Sequence, residues 1–77
     1  MKIYAKIIRN GEVLRSVEIG ATRLTNDRIS GRKYDELMRK AHTLRLPKQA
    51  YIRLTAENGK TSTFGGYPSP RPYVCFE

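Results

Sequence analysis

The chain contains 77 residues, with 15 Lys or Arg against 7 Asp or Glu, and carries a formal net charge of +8. This length predicts one domain over residues 1–77, whose small core leaves little space for an internal cofactor. The single cysteine excludes an intramolecular disulfide, and no apolar run approaches the roughly 18 residues that span a bilayer. We therefore expect a cytoplasmic protein with no membrane partner, whose positive charge favours an anionic partner.

The first two predicted elements are strands over residues 2–8 and 13–19, both rich in β-branched residues and joined through Asn10-Gly11, which is typical of a hairpin turn. A two-residue loop would place Lys and Arg on both faces of this hairpin. A three-residue loop, with Gly11 as a left-handed bulge, instead gives one mostly apolar face, so burial favours it. The pairs that it predicts are Ile3 with Ile19 and Ala5 with Val17.

A loop over residues 20–30 leads into the only convincing helix, predicted over residues 30–46. Its apolar residues recur at helical spacing and form one stripe. They are Tyr34, Leu37, Met38, Ala41 and Leu44. Ser30 is suited to cap the first turn, and Pro47 disfavours helical geometry in the residue before it. The solvent face predicts three i, i+4 ion pairs, namely Arg32–Glu36, Asp35–Arg39 and Glu36–Lys40.

A second hairpin is predicted after the helix, with strands over residues 50–56 and 61–64 and a three-residue loop at 57–59. This register places Phe64 opposite Ile52 on the inner face. The Pro-rich segment over residues 67–77 has prolines at alternate positions, Pro68, Pro70 and Pro72, which favour extended polyproline geometry. It ends in a segment where Val74 and Phe76 can cover a sheet edge as a short strand, and we expect this tail to be docked.

The predicted architecture is α+β with two layers, in which one helix packs on a twisted antiparallel sheet in the order β-β-α-β-β, with a possible short C-terminal fifth strand. In size and in its hairpin–helix–hairpin layout, the chain is similar to small phage proteins that block host nucleoprotein complexes, anti-CRISPR proteins among them. That likeness is one of shape and size alone, and the alternative function that goes with it is an inhibitor or adaptor that acts through protein contacts.

Two groups of side chains are predicted to bind an anionic partner. Cations in the loop before the helix and at its two ends have no obvious local partner and are suited to phosphate; they are Arg23, Arg28, Lys33, Arg45 and Lys48. The predicted phosphate contacts are Arg23, Arg28, Arg32, Lys33 and Lys48. The sheet face that the helix leaves open is predicted to carry Tyr4, Lys6, Tyr51 and Arg53. Aromatic rings beside cations suit single-stranded nucleic acid, because bases stack on the rings while phosphates pair with the cations.

Enzyme chemistry has little support in the sequence. His42 is the only histidine and has no second ligand at metal spacing, and a packed Cys75 is favoured over a nucleophilic one. We therefore expect no catalytic residues, no metal and no cofactor.

Our first hypothesis is a non-enzymatic domain that binds RNA or DNA. The alternative is the phage-type inhibitor or adaptor, with an acidic protein surface as its partner. Ile8 and Leu14 on the open face also favour a protein interface or a homodimer.

Overall fold

The computed structural model describes residues 1–69 and 71–77. Its elements, in chain order, are β1 (Lys2–Arg9), β2 (Glu12–Ala21), β3 (Arg28–Ser30), α1 (Gly31–Ala41), β4 (Tyr51–Ala56) and β5 (Tyr73–Cys75). One antiparallel sheet has the order β2-β1-β4, and β3 pairs with β5 in a second. The predicted α+β class is confirmed. The element order differs, because a short strand in the predicted 20–30 loop precedes the helix and the predicted strand over residues 61–64 is missing.

The first hairpin turns through two residues, so the predicted three-residue loop is wrong. Asn10 and Gly11 both have positive φ, 52° and 79°, as the two-residue turn that matches strand twist requires. The irregularity lies inside the strands, where the register shifts between Ile7 and Ile8. Beyond it Ala5 pairs with Val17 as predicted, but a second shift places Ile3 opposite Gly20 instead of Ile19.

The inner face of the three-stranded sheet and one side of the helix form a single core. Alternate residues of β1 and β4 are buried, as their spacing predicts, and α1 contributes its apolar stripe. The buried members are Ile3, Ala5, Ile7, Ile19, Ile52, Leu54 and Ala56 from the sheet, and Tyr34, Leu37, Met38 and Ala41 from the helix. The helix therefore leaves the opposite face of the sheet uncovered.

The helix begins where predicted and ends five residues early. The Ser30 hydroxyl accepts a hydrogen bond from the Lys33 amide at 3.1 Å, which confirms the N-cap. At the other end His42 Nδ1 donates to the Met38 carbonyl at 2.8 Å, and the Thr43 hydroxyl donates to the Lys40 carbonyl at 2.6 Å. These side chains satisfy the last carbonyls and stop the helix before Pro47 can.

The second hairpin keeps its predicted loop but not its second strand. The Ala56 amide donates to the Lys60 carbonyl at 2.8 Å across the three-residue loop, and Thr55 is bridged to Thr61. Residues 61–63 keep only isolated contacts with β4 and form no ladder with it, because they also pair with the end of the chain. The Thr61 and Glu77 amides each donate to the other's carbonyl, at 2.8 and 2.9 Å. The predicted pairing of Phe64 with Ile52 is therefore wrong.

Residues 61–63 thus connect the two sheets. Ser62 donates its amide to the Leu54 carbonyl on one side, and the Thr63 amide donates to the Cys75 carbonyl on the other, both at 2.9 Å. Ser62 is also bridged to Phe76. Hydrogen bonds therefore run without interruption from β2 through β1, β4 and residues 61–63 to β5 and β3.

The predicted docking of the tail is confirmed. Val74 and Phe76 are buried, and β5 pairs with β3. Their alternation turns Cys75 outward as an exposed free thiol, so the predicted packed Cys75 is wrong. The polyproline prediction includes Pro70, which lies outside the described residues.

Tyr34 of the helix forms hydrogen bonds with the backbone of residues 64–66, which follow residues 61–63. Its buried hydroxyl lies 3.0 Å from the Phe64 carbonyl oxygen and 2.7 Å from that of Gly66. Burial raises the pKa of Tyr34 to about 12, with the Arg53 charge acting in the opposite direction and Asp35 in the same direction. A phenol with a raised pKa stabilises the fold while it holds its proton.

We expect the stability of the protein to fall between about pH 10 and pH 12 through Tyr34. In this window the unfolded chain loses the phenolic proton, with an ordinary pKa near 10, while the folded chain keeps it. The contribution, on the order of 2 kcal/mol, is complete below pH 10 and is lost as the pH rises towards 12. Thermal unfolding of wild type and Tyr34→Phe across this range measures it, since the variant lacks this part of the decline. Parallel pH profiles for the two proteins would contradict the prediction.

Candidate nucleic-acid interface

The four residues predicted for the open sheet face lie on one surface. Lys6 on β1 is directly opposite Arg53 on β4, in a register that places Tyr51 opposite Ile8 and Tyr4 opposite Thr55. Except for Thr55, which is itself buried, these positions alternate with the buried residues of their strands. We call Tyr4, Lys6, Tyr51 and Arg53 the open sheet face.

Two cations therefore face each other across neighbouring strands. Like charges directly opposite on a sheet are destabilising, and within the described residues neither Lys6 nor Arg53 has a carboxylate within 4.0 Å. Arg53 gains partial compensation, because its Nη1 donates to the Ser62 carbonyl at 2.8 Å. Gly65 also packs against this guanidinium and Arg53 is half-buried, so an anion would use those of its five N–H donors that face solvent.

The two tyrosines lie at opposite ends of this cation pair. Tyr4 precedes Lys6 by two residues, and Tyr51 precedes Arg53 by two residues on the antiparallel strand. The pleat spacing of about 3.3 Å per residue puts the tyrosines about 13 Å apart along the strands, with both cations between them. Tyr51 is 49% exposed and Tyr4 is half-buried, so Tyr51 presents more of its ring to solvent than Tyr4 does.

A second basic surface forms where β3 pairs with β5. Arg23, Arg28 and Lys33 line a cleft of about 450 Å³ together with Tyr73. The Arg28 guanidinium carbon lies 5.2 Å from the centre of the Tyr73 ring, within the range of a cation–π contact. We call this group of four the basic cleft. Three of its members were predicted from the sequence; Tyr73 was not, although its alternation with buried Val74 indicates an outward side chain.

The other two predicted cations lie elsewhere. Arg32 borders a separate cleft with Arg39 and Arg71, which also holds the carboxylates of Asp35 and Glu36. Lys48 is exposed in the chain segment between α1 and β4. The structure therefore brings the predicted residues together as two groups, of four and three, and leaves Arg32 and Lys48 outside them.

The helix charges pair differently from the prediction. Among the described residues, the three predicted i, i+4 pairs are absent at 4.0 Å, and Lys33 Nζ instead lies 3.8 Å from Glu36 Oε1. The expectation that Lys33 has no local partner is therefore wrong. Asp35 instead contacts the Pro-rich segment, since its Oδ1 accepts a hydrogen bond from the Ser69 amide at 2.8 Å.

Comparison of the chain with models of protein families, with curated proteins and with solved structures finds no match. Over residues 1–69 and 71–77, no three His, Cys, Asp or Glu side chains are grouped so that they could hold a metal ion. In the same residues, no helix has the length and apolar character to cross a membrane. Function is therefore inferred from the two basic surfaces.

Proposed function

We propose that this protein binds single-stranded nucleic acid on the open sheet face, with phosphates at Lys6 and Arg53 and bases stacked on Tyr51 and Tyr4. The observation that carries the proposal is the Lys6–Arg53 pair, which has no carboxylate within 4.0 Å among the described residues and a tyrosine beyond each end. A phosphate placed there relieves the repulsion between the two cations and forms charge-assisted hydrogen bonds with both.

The geometry favours a single strand over a duplex. The strand's bases are open to stack, and each stacked base contributes about 1–3 kcal/mol without regard to sequence. A strand that follows the diagonal from Tyr4 to Tyr51 passes both cations. Binding of this kind is sequence-tolerant and strongly dependent on salt, with about 0.7 log units of affinity lost per log unit of salt for each phosphate contacted.

Replacing Lys6 with Gln is expected to lower the affinity for a labelled single-stranded oligonucleotide about 5- to 10-fold at low salt, because one phosphate contact is lost. The salt slope should decrease by about 0.7. Fluorescence anisotropy with DNA and RNA homopolymers across a salt series measures both quantities.

Lys40→Gln is the matched control, since it removes the same charge from an exposed position on the helix. We expect that variant to bind within about twofold of wild type, as a distant surface charge does. Equal losses of affinity in the two variants would mean that only the net charge of the protein matters, and not the position of Lys6. Failure of wild type to bind any single strand at low salt would overturn the proposal.

A second candidate function is supported by an apolar row on the same face. Val13, Ile8 and Tyr51 lie side by side across three strands, and Val13 is 52% exposed. Such a row beside cations suits an acidic protein surface, as an inhibitor or adaptor of a nucleoprotein complex would require. This candidate requires weak binding to the free oligonucleotides described above. It also requires retention of an acidic protein complex that is lost when Ile8 and Val13 are replaced by Ser.

A further inference from the structure

We infer that the basic cleft binds a phosphomonoester, the terminal phosphate of a nucleic-acid strand. The inference rests on the proposed function for the class of partner, but it concerns a different surface. Tyr73, one of the residues that define it, comes from the other end of the sequence and enters the cleft because it pairs with Ser30.

The charge of the cleft is not neutralised by the protein. No carboxylate is among the described residues that line it, and within this part of the chain Arg23 and Arg28 form no ion pair within 4.0 Å. Lys33 has one partner at 3.8 Å, the exposed Glu36. An exposed pair at this distance is weak and exchanges readily for a phosphate. The neighbouring cleft of Arg32 differs in this respect, because it contains two carboxylates of its own.

The number of cations favours a terminal phosphate over an internal one. A phosphodiester carries one negative charge, whereas a phosphomonoester carries about 1.5 to 2 at pH 7. Three cations that line one cleft match the second better. Arginine also presents paired N–H groups that fit phosphate oxygens bidentately. The Ser30 hydroxyl oxygen already accepts from the Lys33 amide, so its hydrogen remains available for a phosphate oxygen.

The shape of the cleft and the aromatic ring favour an end of a strand. A volume of about 450 Å³ falls within the roughly 300–1,000 Å³ range of small-molecule sites, so it can hold a phosphate with part of its nucleoside. Tyr73 is 57% exposed and is fixed on one side by Arg28. Its ring therefore offers a surface on which the terminal base can stack.

The test compares three versions of one short oligonucleotide, with hydroxyls at both ends, with a 5′-phosphate or with a 3′-phosphate, by anisotropy at about pH 7.5, above the second phosphate pKa near 6. We expect one phosphorylated form to bind about 5- to 10-fold more tightly than the hydroxyl form. Arg23→Gln should abolish this preference. Arg45→Gln removes an exposed charge outside the cleft and should preserve it.

The outcomes separate this inference from the proposed function. Equal binding of all three oligonucleotides overturns the terminal-phosphate site and leaves binding by the open sheet face intact. Binding of only a phosphorylated form supports the cleft and counts against the open sheet face. In competition, a nucleoside monophosphate should displace the phosphorylated strand more effectively than inorganic phosphate. Equal displacement by the two would overturn the assignment to a strand end and leave a site for free phosphate.

Discussion

Replacing Phe76 with Ala is expected to lower the free energy of unfolding by about 3–5 kcal/mol, the usual cost of removing a buried phenylalanine. Phe76 is the last residue but one, yet its side chain is 1% exposed and its amide donates to the Asp27 carbonyl at 2.7 Å. A chain of this size has a total stability of about 4–12 kcal/mol. The variant should therefore be marginally stable or partly unfolded at room temperature.

Urea denaturation followed by circular dichroism measures this loss. Cys75→Ala is the matched control, because Cys75 is the preceding residue and its side chain is exposed on the other face of β5. We expect the control to unfold within about 0.5 kcal/mol of wild type. A loss below about 1 kcal/mol for Phe76→Ala would mean that the tail is not part of the core in solution.

Replacing Gly31 with Ala is expected to destabilise the protein, although alanine is the better helix former by up to about 1 kcal/mol. Gly31 is buried at the first position of α1, and its amide donates to the Pro72 carbonyl at 2.7 Å. An added methyl group would collide with the Arg71 carbonyl oxygen, which belongs to backbone and cannot turn aside. Overpacking of this kind costs about 1–3 kcal/mol, which exceeds the gain in helix propensity.

The same denaturation experiment gives the sign of this effect. Arg32→Ala, the next residue along the helix, is the control, because Arg32 is exposed and should change stability by no more than about 0.5 kcal/mol. An increase in stability for Gly31→Ala would mean that helix propensity alone decides the effect. It would show that the Arg71–Pro72 backbone does not lie against the start of the helix.

The sheet faces could be predicted because alternation of apolar and polar residues depends only on the period of a strand. The predicted pairing of Ala5 with Val17 is correct, although the three-residue loop from which it was predicted is wrong. The two-residue Asn10-Gly11 turn and the register shift between Ile7 and Ile8 together produce the same register as a three-residue loop. Nothing in the local sequence of β2 indicates where such an irregularity falls, since it depends on packing against the core.

The parts that the sequence could not predict depend on distant residues. The helix stop was assigned to Pro47, but side chains of His42 and Thr43 end the helix first by bonding to carbonyls. Residues 61–63 keep isolated contacts with β4, their local partner, but also pair with the distant end of the chain, which the sequence did not predict. Competition between a local and a distant partner is decided by total burial, which a local pattern does not contain.

Of the two candidate surfaces, one could be predicted from local sequence and the other depends on distant residues. The open sheet face follows from alternation along β1 and β4, so its four residues were predicted as a group. The basic cleft requires the pairing of Ser30 with Tyr73, which are 43 positions apart in the sequence, and was therefore predicted only as separate cations.

The connection formed by residues 61–63 has a consequence for the length of a bound strand. The sheet that carries Lys6 and the sheet that carries Tyr73 are joined through these residues by backbone hydrogen bonds. The separation between the two surfaces is then fixed by the fold. Under the proposed function, an oligonucleotide below a threshold number of nucleotides occupies one surface only, and a longer one gains affinity abruptly as it reaches both.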